Sequence, residues 1–242
     1  MNIISLKDVS FSSQSTQIIH NVNLDIEEGK TTAFVGPSGC GKSTLLKLLA
    51  GIIIPSTGSV YYQGKDIVSM NRAQNLEFRR DSGYVFQDSA LWANQSLQQC
   101  LELPLRIHYP QMSVQERQQR VDEVVTAVGY RRSLEIRPAS LSMGEQKLIA
   151  FGRAMMCRPS LLFLDEYAES LDDYAAKRLI SLVKIRKLNH NTNIVVSHDM
   201  KMIRSIADYV IMLVGGYIYI KMTREQFIND PELLELLEKG IT

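Results

Sequence analysis

The chain has 242 residues, enough to bury a substantial core as one large domain or two lobes, so a disulfide-stapled mini-protein is excluded. Its 27 basic and 26 acidic residues leave a formal net charge of +1, which offers no electrostatic footing for a nucleic-acid groove or a polybasic membrane anchor. With 45% hydrophobic and 22% charged residues, the composition is that of a globular protein rather than a disordered one.

The opening MNIISLKDVS lacks a basic region, apolar core and small-residue cleavage site, so no secretory signal is expected and the chain is expected in the cytosol. Ile3 to Val9, and Val22, Leu24 and Ile26 with polar residues between them, alternate as half-solvated antiparallel strands do. Thr31 to Val35 is short, apolar and bounded by glycine, the signature of a buried parallel strand. A glycine-rich bend, Gly36 to Gly41, and a run of helix formers, Ser43 to Ile52, complete a strand, loop and helix. The uncharged stretch Leu48 to Gly64 holds Pro55, Ser56, Thr57 and glycines and cannot span a bilayer.

Gly83 to Phe86 reads as a strand, and 88–158 as a mostly helical lobe, with helical spacing clearest over Val114 to Val128. Leu161 to Leu164 and Asn193 to Ser197 are further core strands of a parallel sheet. Tyr209 to Val214, a Gly215-Gly216 turn and Tyr217 to Ile220 form a hairpin, and a tail helix is expected around Pro231 to Leu237. Cys40, Cys100 and Cys157 form neither an even disulfide framework nor a CxxC pair, which fits packing roles in a reducing compartment.

Gly36-Pro37-Ser38-Gly39-Cys40-Gly41-Lys42-Ser43 fits G-x-x-x-x-G-K-[ST] and stands between a strand and a helix, where a phosphate cradle has to be. Glycines let backbone N–H groups converge on a phosphate, the helix N-terminus adds positive potential, Lys42 neutralises β and γ oxygens, and Ser43 can ligate Mg²⁺. The ligand expected is a nucleoside triphosphate. LLFLDE ends a strand in Asp165, suited to Mg²⁺, and Glu166, suited to polarising the attacking water. His198 leaves the carboxyl edge of another strand, within reach of the γ-phosphate, whereas His20, His108 and His190 are assigned structural roles. Gln87 can offer its amide oxygen to Mg²⁺ and its amide to water.

GPSGCGKST (36–44), Gln87, LSMGEQ (141–146), LLFLDE (161–166), SLD (170–172) and His198, in that order, resemble the ATP-binding subunit of ABC transporters over nearly the whole chain. The resemblance implies an α/β P-loop NTPase fold, with a RecA-like parallel core sheet, an antiparallel β subdomain and an inserted α-helical subdomain. It implies one ATPase domain: core 1–87 and 159–222, helical signature segment 88–158, tail 223–242. Residues 36–44, including Thr44, would bind ATP. A head-to-tail homodimer would place each ATP between the phosphate loop of one copy and Ser142, Gly144 and Glu145 of the other, with Asp172 coupling the sites. Glu166 is implied as the catalytic carboxylate, His198 as the γ-phosphate contact and Gln87 as the sensor of a separate membrane-spanning permease. The chain would then sit peripherally on the cytoplasmic face of the inner membrane.

Three departures from the family pattern stand out. Met143 and Glu145 replace the first glycine and the glutamine of LSGGQ, bringing bulk and negative charge to an anion-binding turn, from which slower hydrolysis or weaker closure is expected. Tyr167 stands where proline usually follows the glutamate. Ser13 occupies the position of the adenine-stacking tyrosine, leaving Phe11 as the nearest aromatic. Residues 85–106 and 224–240 are similar to the ATPases of Mla and Mce-type phospholipid transport systems, which points to lipid cargo and further lipid-transport components. Related lipoprotein-release and cell-division ATPases share part of this segment. The competing classes are a soluble clamp ATPase, a small phosphotransferase and an ATP-holding module without turnover. One set of motifs without sustained heptads disfavours the first, and LSMGEQ the second.

Overall fold

The computed structural model describes residues 1–229, so the tail helix expected at 231–237 lies outside the described residues. In chain order the elements begin with β1 (Asn2–Ser13), β2 (Thr16–Glu27), β3 (Thr31–Val35), α1 (Lys42–Leu49), β4 (Thr57–Tyr62), β5 (Lys65–Asp66) and α2 (Arg72–Asp81). They continue with β6 (Ser82–Val85), α3 (Leu97–His108), α4 (Val114–Val128), α5 (Met143–Met155), β7 (Leu161–Asp165) and α6 (Asp173–Leu188). The last are β8 (Thr192–Val196), α7 (Met200–Ile206), β9 (Tyr209–Val214), β10 (Tyr217–Thr223) and α8 (Arg224–Asn229). The described residues form two compact units: the first comprises Met1–Asn75 and those from Arg186 onward, the second Leu76–Ile185.

The first unit holds two sheets. β2-β1-β4-β5 is antiparallel, and its β1–β2 ladder is interrupted by bulges where Asp8 (φ 52°) and Asn21 (φ 43°) turn left-handed. Asx side chains tolerate that backbone because they bond locally: the Asp8 amide donates to Asn23 Oδ1 and Asn23 Nδ2 returns a bond to Asp8 Oδ1, both at 3.0 Å. The other sheet runs β10-β9-β3-β8, with β3 parallel to both β8 and β9. All five residues of β3 and of β8 are buried, as expected of parallel strands covered on both faces. Ala33, Val35, Val210 and Met212 pack with Ile203 of α7 and Phe227 of α8. Burying a side chain the size of Phe227 or Ile203 stabilises the unit by about 1.5–3 kcal/mol. The Gly215-Gly216 hairpin forms as read, with φ 53° and 82°.

In the second unit β6 and β7 are parallel neighbours, and β7 is buried throughout. Its helices α3, α4 and α5 each start from a serine in a reciprocal capping box, Ser96 with Gln99, Ser113 with Glu116 and Ser142 with Glu145. Arg120 of α4 donates to the carbonyls of Met155 (2.6 Å) and Met156 (3.0 Å), closing the C-terminus of α5. α1 is shorter than the expected Ser43–Ile52 because Gly51 turns left-handed (φ 59°) just beyond Ala50.

One buried polar cluster ties the first unit together. Arg186 Nε donates to Asn193 Oδ1 at 2.9 Å and Asn193 Nδ2 to Thr31 Oγ1 at 3.2 Å, so β8, β3 and the end of α6 share one fully buried amide. Burial brings the Arg186 guanidinium down to about 10. Asn193→Ala removes an acceptor from a buried cation and a donor from a buried hydroxyl. It is therefore expected to lower stability by about 2–3 kcal/mol in urea denaturation, with the m-value unchanged; a loss below half a kcal/mol would contradict the network.

Candidate functional site

In the first unit the phosphate loop leaves β3 at Gly36 (φ 138°), where a Cβ would stand 2.1 Å from the Leu213 carbonyl oxygen, so only glycine fits beside β9. Pro37, Ser38 and Gly39 (φ 77°) form the bend, and Gly41 (φ 101°) caps α1 without a side-chain hydrogen bond. The base of the loop is pinned: the Cys40 carbonyl accepts from the Gly216 amide of the β9–β10 turn at 3.1 Å. Lys42, 6% exposed, curls into the loop and donates to the carbonyls of Gly36 (2.9 Å) and Pro37 (2.8 Å). Ser43 and Thr44, half-buried, follow in the first turn of α1, which carries no acidic residue. An ammonium on the loop and a helix N-terminus free of carboxylates make this end attractive to an anion.

β8 lies beside β3 in parallel, with Val196 opposite Phe34, so Gly36 and His198 leave neighbouring strands at the same carboxyl edge. His198 is exposed on a turn set by its neighbours: the Asp199 amide donates to Ser197 Oγ (3.1 Å), and Asp199 Oδ1 caps α7 by accepting from the Met202 amide (2.9 Å). Phe11 is half-buried in the β1 ladder opposite Ile19. Beyond it Ser13 pairs with Thr16 across a two-residue turn, Gln14 (φ 47°) and Ser15 (φ 66°).

In the second unit Val85 pairs with Leu164, which brings Phe86-Gln87 and Asp165-Glu166 out at one carboxyl edge. Gln87 is exposed, whereas Asp165 and Glu166 are 2% and 8% exposed. Tyr84 donates its hydroxyl to Asp165 Oδ2 at 3.5 Å, and burial, reinforced by the Asp165 charge, pushes the phenol up. Glu166 has a left-handed backbone (φ 46°), a conformation costing a non-glycine residue about 1–3 kcal/mol and concentrated at functional turns.

Its carbonyl accepts from Lys147 Nζ at 3.1 Å, and the same ammonium donates to the carbonyls of Phe86 (3.5 Å) and Gln87. Lys147 is 3% exposed. Burial lowers its pKa, opposed by the attraction of Glu169, Asp165, Glu166 and Asp88. A second cation of α5, Arg153, donates to the carbonyls of Ala90 (2.6 Å) and Ser89 (3.1 Å), both left-handed residues, and stacks over Trp92. Burial lowers the Arg153 pKa as well.

The LSMGEQ segment starts α5. Ser142 Oγ accepts from the Glu145 amide at 3.2 Å, while Glu145 Oε2 accepts from the Ser142 amide at 2.9 Å. Arg132 Nη1 lies 3.0 Å from the same oxygen, so the charge of Glu145 is paired within its own chain; the Ser142 amide and then Arg132 hold its carboxyl below the usual range. Met143 projects outward, 70% exposed. At Gly144 a Cβ would come within 3.0 Å of the Ser170 carbonyl oxygen, which packs the turn against the loop leading to Asp172. Asp172 Oδ1 accepts from the Ala175 amide at 2.8 Å, fixing the start of α6. Tyr167 is fully buried against Phe151, ring centres 5.8 Å apart.

The first unit thus brings 36–44 and His198 together and leaves Phe11 in the ladder. The second gathers Gln87, Asp165 and Glu166 at one edge and sets Ser142 and Gly144 beside the 170–172 loop. Lys147, Arg153 and Tyr84 escaped the sequence reading; two cations inside the otherwise apolar run KLIAFGRAM were the available signal. Among the described residues no three His, Cys, Asp or Glu side chains converge as a metal group. Ser43 in the first unit, and Gln87 and Asp165 in the second, each carry a hard oxygen donor of the kind Mg²⁺ accepts.

A family model described as ABC transporter matches residues 19–169. The intermembrane phospholipid transport system ATP-binding protein MlaF of Haemophilus influenzae is 33% identical over 96% of this chain and 88% of its own length. The nickel import ATP-binding protein NikE of Shigella flexneri is 35% identical over 85% of this chain and 78% of its own. Among solved structures, the dimeric post-hydrolysis state of the ATP-binding cassette MJ0796 bound to ADP and Pi is 28% identical, covers 91% of this chain and 98% of that one, and superposes with a TM-score of 0.86. The fold is therefore that of a P-loop NTPase cassette, and the chain belongs to the ABC transporter family.

Proposed function

We propose that the chain is the ATP-binding and ATP-hydrolysing subunit of a transporter, working as an ATP-closed homodimer under a separate membrane-spanning permease. Glu166 carries the reading: a buried carboxylate on a left-handed strand-end turn, one residue after the buried Asp165. Gly36 to Thr44 bind the phosphates, with Lys42 on the β and γ oxygens. Glu166 takes a proton from water as it attacks the γ-phosphorus, the β–γ bond breaks and ADP leaves, while His198 contacts the γ-phosphate. Mg²⁺ held by Ser43, Gln87 and Asp165 would neutralise charge on the phosphates.

Ser142, Gly144 and Glu145 of the second copy complete each site through the N-terminus of α5, and Asp172 couples the two sites. ATP favours the closed dimer by binding it more tightly than the open one. Phe11 is the nearest candidate for the base. The domain is one functional ATPase, with 88–158 passing motion to the permease at the cytoplasmic face of the membrane. Supporting that partner, a groove of about 490 Å³ flanks Gln87, lined by Phe86, Trp92, Pro104, Ile107 and Arg153, with Trp92 and Ile107 exposed.

The cargo proposed is phospholipid, supported by the likeness to MlaF over 96% of the chain. The nickel import relative supplies the alternative of a metal-ion cargo. Lipid identified in the complex purified with its permease tests this; a metal-binding component in its place would overturn it.

Lys42→Ala is expected to weaken ATP binding at least tenfold, about 1.4 kcal/mol, by titration of a fluorescent nucleotide; undiminished affinity would remove the phosphate-loop reading. Glu166→Gln should keep ATP affinity within a few-fold while steady-state turnover drops by about 10²–10⁴; a variant turning over normally moves the base elsewhere. Because Glu145 is already neutralised by Arg132, the exposed Met143 is the remaining departure at the signature. Met143→Gly should raise kcat severalfold, and an unchanged rate would show that the turn accommodates methionine.

A further inference from the structure

Glu166 stands in a conformation that its own backbone resists; the Glu169 amide closes the turn on its carbonyl at 3.2 Å, and a second donor reaches the same carbonyl from outside the turn. What reaches it is the side chain of Lys147, one turn inside α5 from the signature serine. An ammonium has three N–H donors and no acceptor, and here it meets three backbone carbonyls: Glu166 at 3.1 Å, Phe86 at 3.5 Å and Gln87. Those carbonyls belong to the ends of two neighbouring parallel strands, β6 and β7, beyond the last ladder pair Val85–Leu164. There the sheet no longer ties the two chains, and the lysine takes over. Leu148 to Gly152, which follow it on α5, are apolar and buried, so a cation at 147 is not explained by solvation of the helix.

We propose that Lys147 is a positioning residue for ATP hydrolysis: its ammonium locks the left-handed turn at Glu166 to the carbonyls of the Gln87 loop, so that base and loop move as one piece. The inference rests on the reading of Glu166 as general base. It gives α5 a task besides presenting Ser142, because the helix that begins at the signature also carries the pin behind the hydrolytic carboxylate. The surrounding acids, Asp88, Asp165, Glu166 and Glu169, favour the charged form of the pin and oppose the effect of burial. The loop is held a second time by Arg153 at Ser89 and Ala90, so removing Lys147 frees the link to Glu166 without releasing the whole loop.

The test compares the wild-type chain with Lys147→Met, which fills similar volume without a donor, and Lys147→Gln, which keeps an amide donor on a shorter side chain. Steady-state ATPase kinetics and fluorescent-nucleotide binding are measured on each. For Lys147→Met the expected result is kcat reduced at least tenfold with KM and nucleotide affinity within twofold; Lys147→Gln is expected to lose about threefold. A Lys147→Met enzyme with kcat within twofold of wild type overturns the proposal, as does an equal loss of affinity and rate. Should the methionine variant fail to fold, the glutamine variant decides by the same split, and failure of both to fold makes the contact structural and overturns it. A wild-type chain that binds ATP and never hydrolyses it overturns the functional reading itself, a result distinguishable from normal wild-type turnover with unaffected variants.

Discussion

A parallel strand that ends at the surface has to redirect its chain within one or two residues, and Gly36, Glu166 and His198 each stand at such a redirection. Gly36 leaves β3 where no side chain fits, His198 leaves β8 between a hydroxyl and a carboxylate that fix the turn, and Glu166 leaves β7 left-handed. The strands themselves are buried along their lengths, and of their residues only Asp165, the last of β7, is a site candidate. Rigid apolar strands therefore supply the positions, and their carboxyl ends supply the groups, as expected of ligand sites in α/β sheets.

Backbone carbonyls at these ends are satisfied by buried cations. Lys42 serves Gly36 and Pro37, Lys147 serves Phe86, Gln87 and Glu166, and Arg153 serves Ser89 and Ala90. Taking an ammonium or guanidinium out of water is costly unless its hydrogen bonds are recovered, and these three recover several each. The acidic departure at the signature is handled the same way. Glu145 closes the capping box and meets Arg132, so the segment presents a neutralised turn rather than a bare carboxylate. Tyr167, in place of the usual proline, is absorbed by packing on Phe151.

Much of this was legible in the residues. Short apolar runs located β3, bounded by glycine, β7 after Pro159 and β8 before Ser197-His198-Asp199, because a doubly covered strand is mostly apolar and its few polar members, such as Thr31 and Asn193, pair with each other. The glycine-lysine loop and the acidic strand end announced themselves by spacing. The apolar interval of α4 marks its observed bounds in the sequence, whereas α6 shows no face, its charged and apolar residues being too evenly spread. Lys147 and Arg153 are hidden for a physical reason: a long cationic side chain looks the same in sequence whether it is solvated or buried on carbonyls, and only the partners, 19 to 64 positions away, distinguish the two. The left-handed turn at Glu166 is likewise invisible in sequence, since glutamate carries no preference for it.

The central claim is that each copy contributes half of a nucleotide site to the other. The most direct measurement is sedimentation equilibrium of the isolated chain, without nucleotide and with saturating ATP under conditions that prevent turnover. A single-chain mass that doubles only when ATP is present is the predicted result. A mass that stays that of one chain at saturating ATP, with binding confirmed in the same sample, would contradict the account.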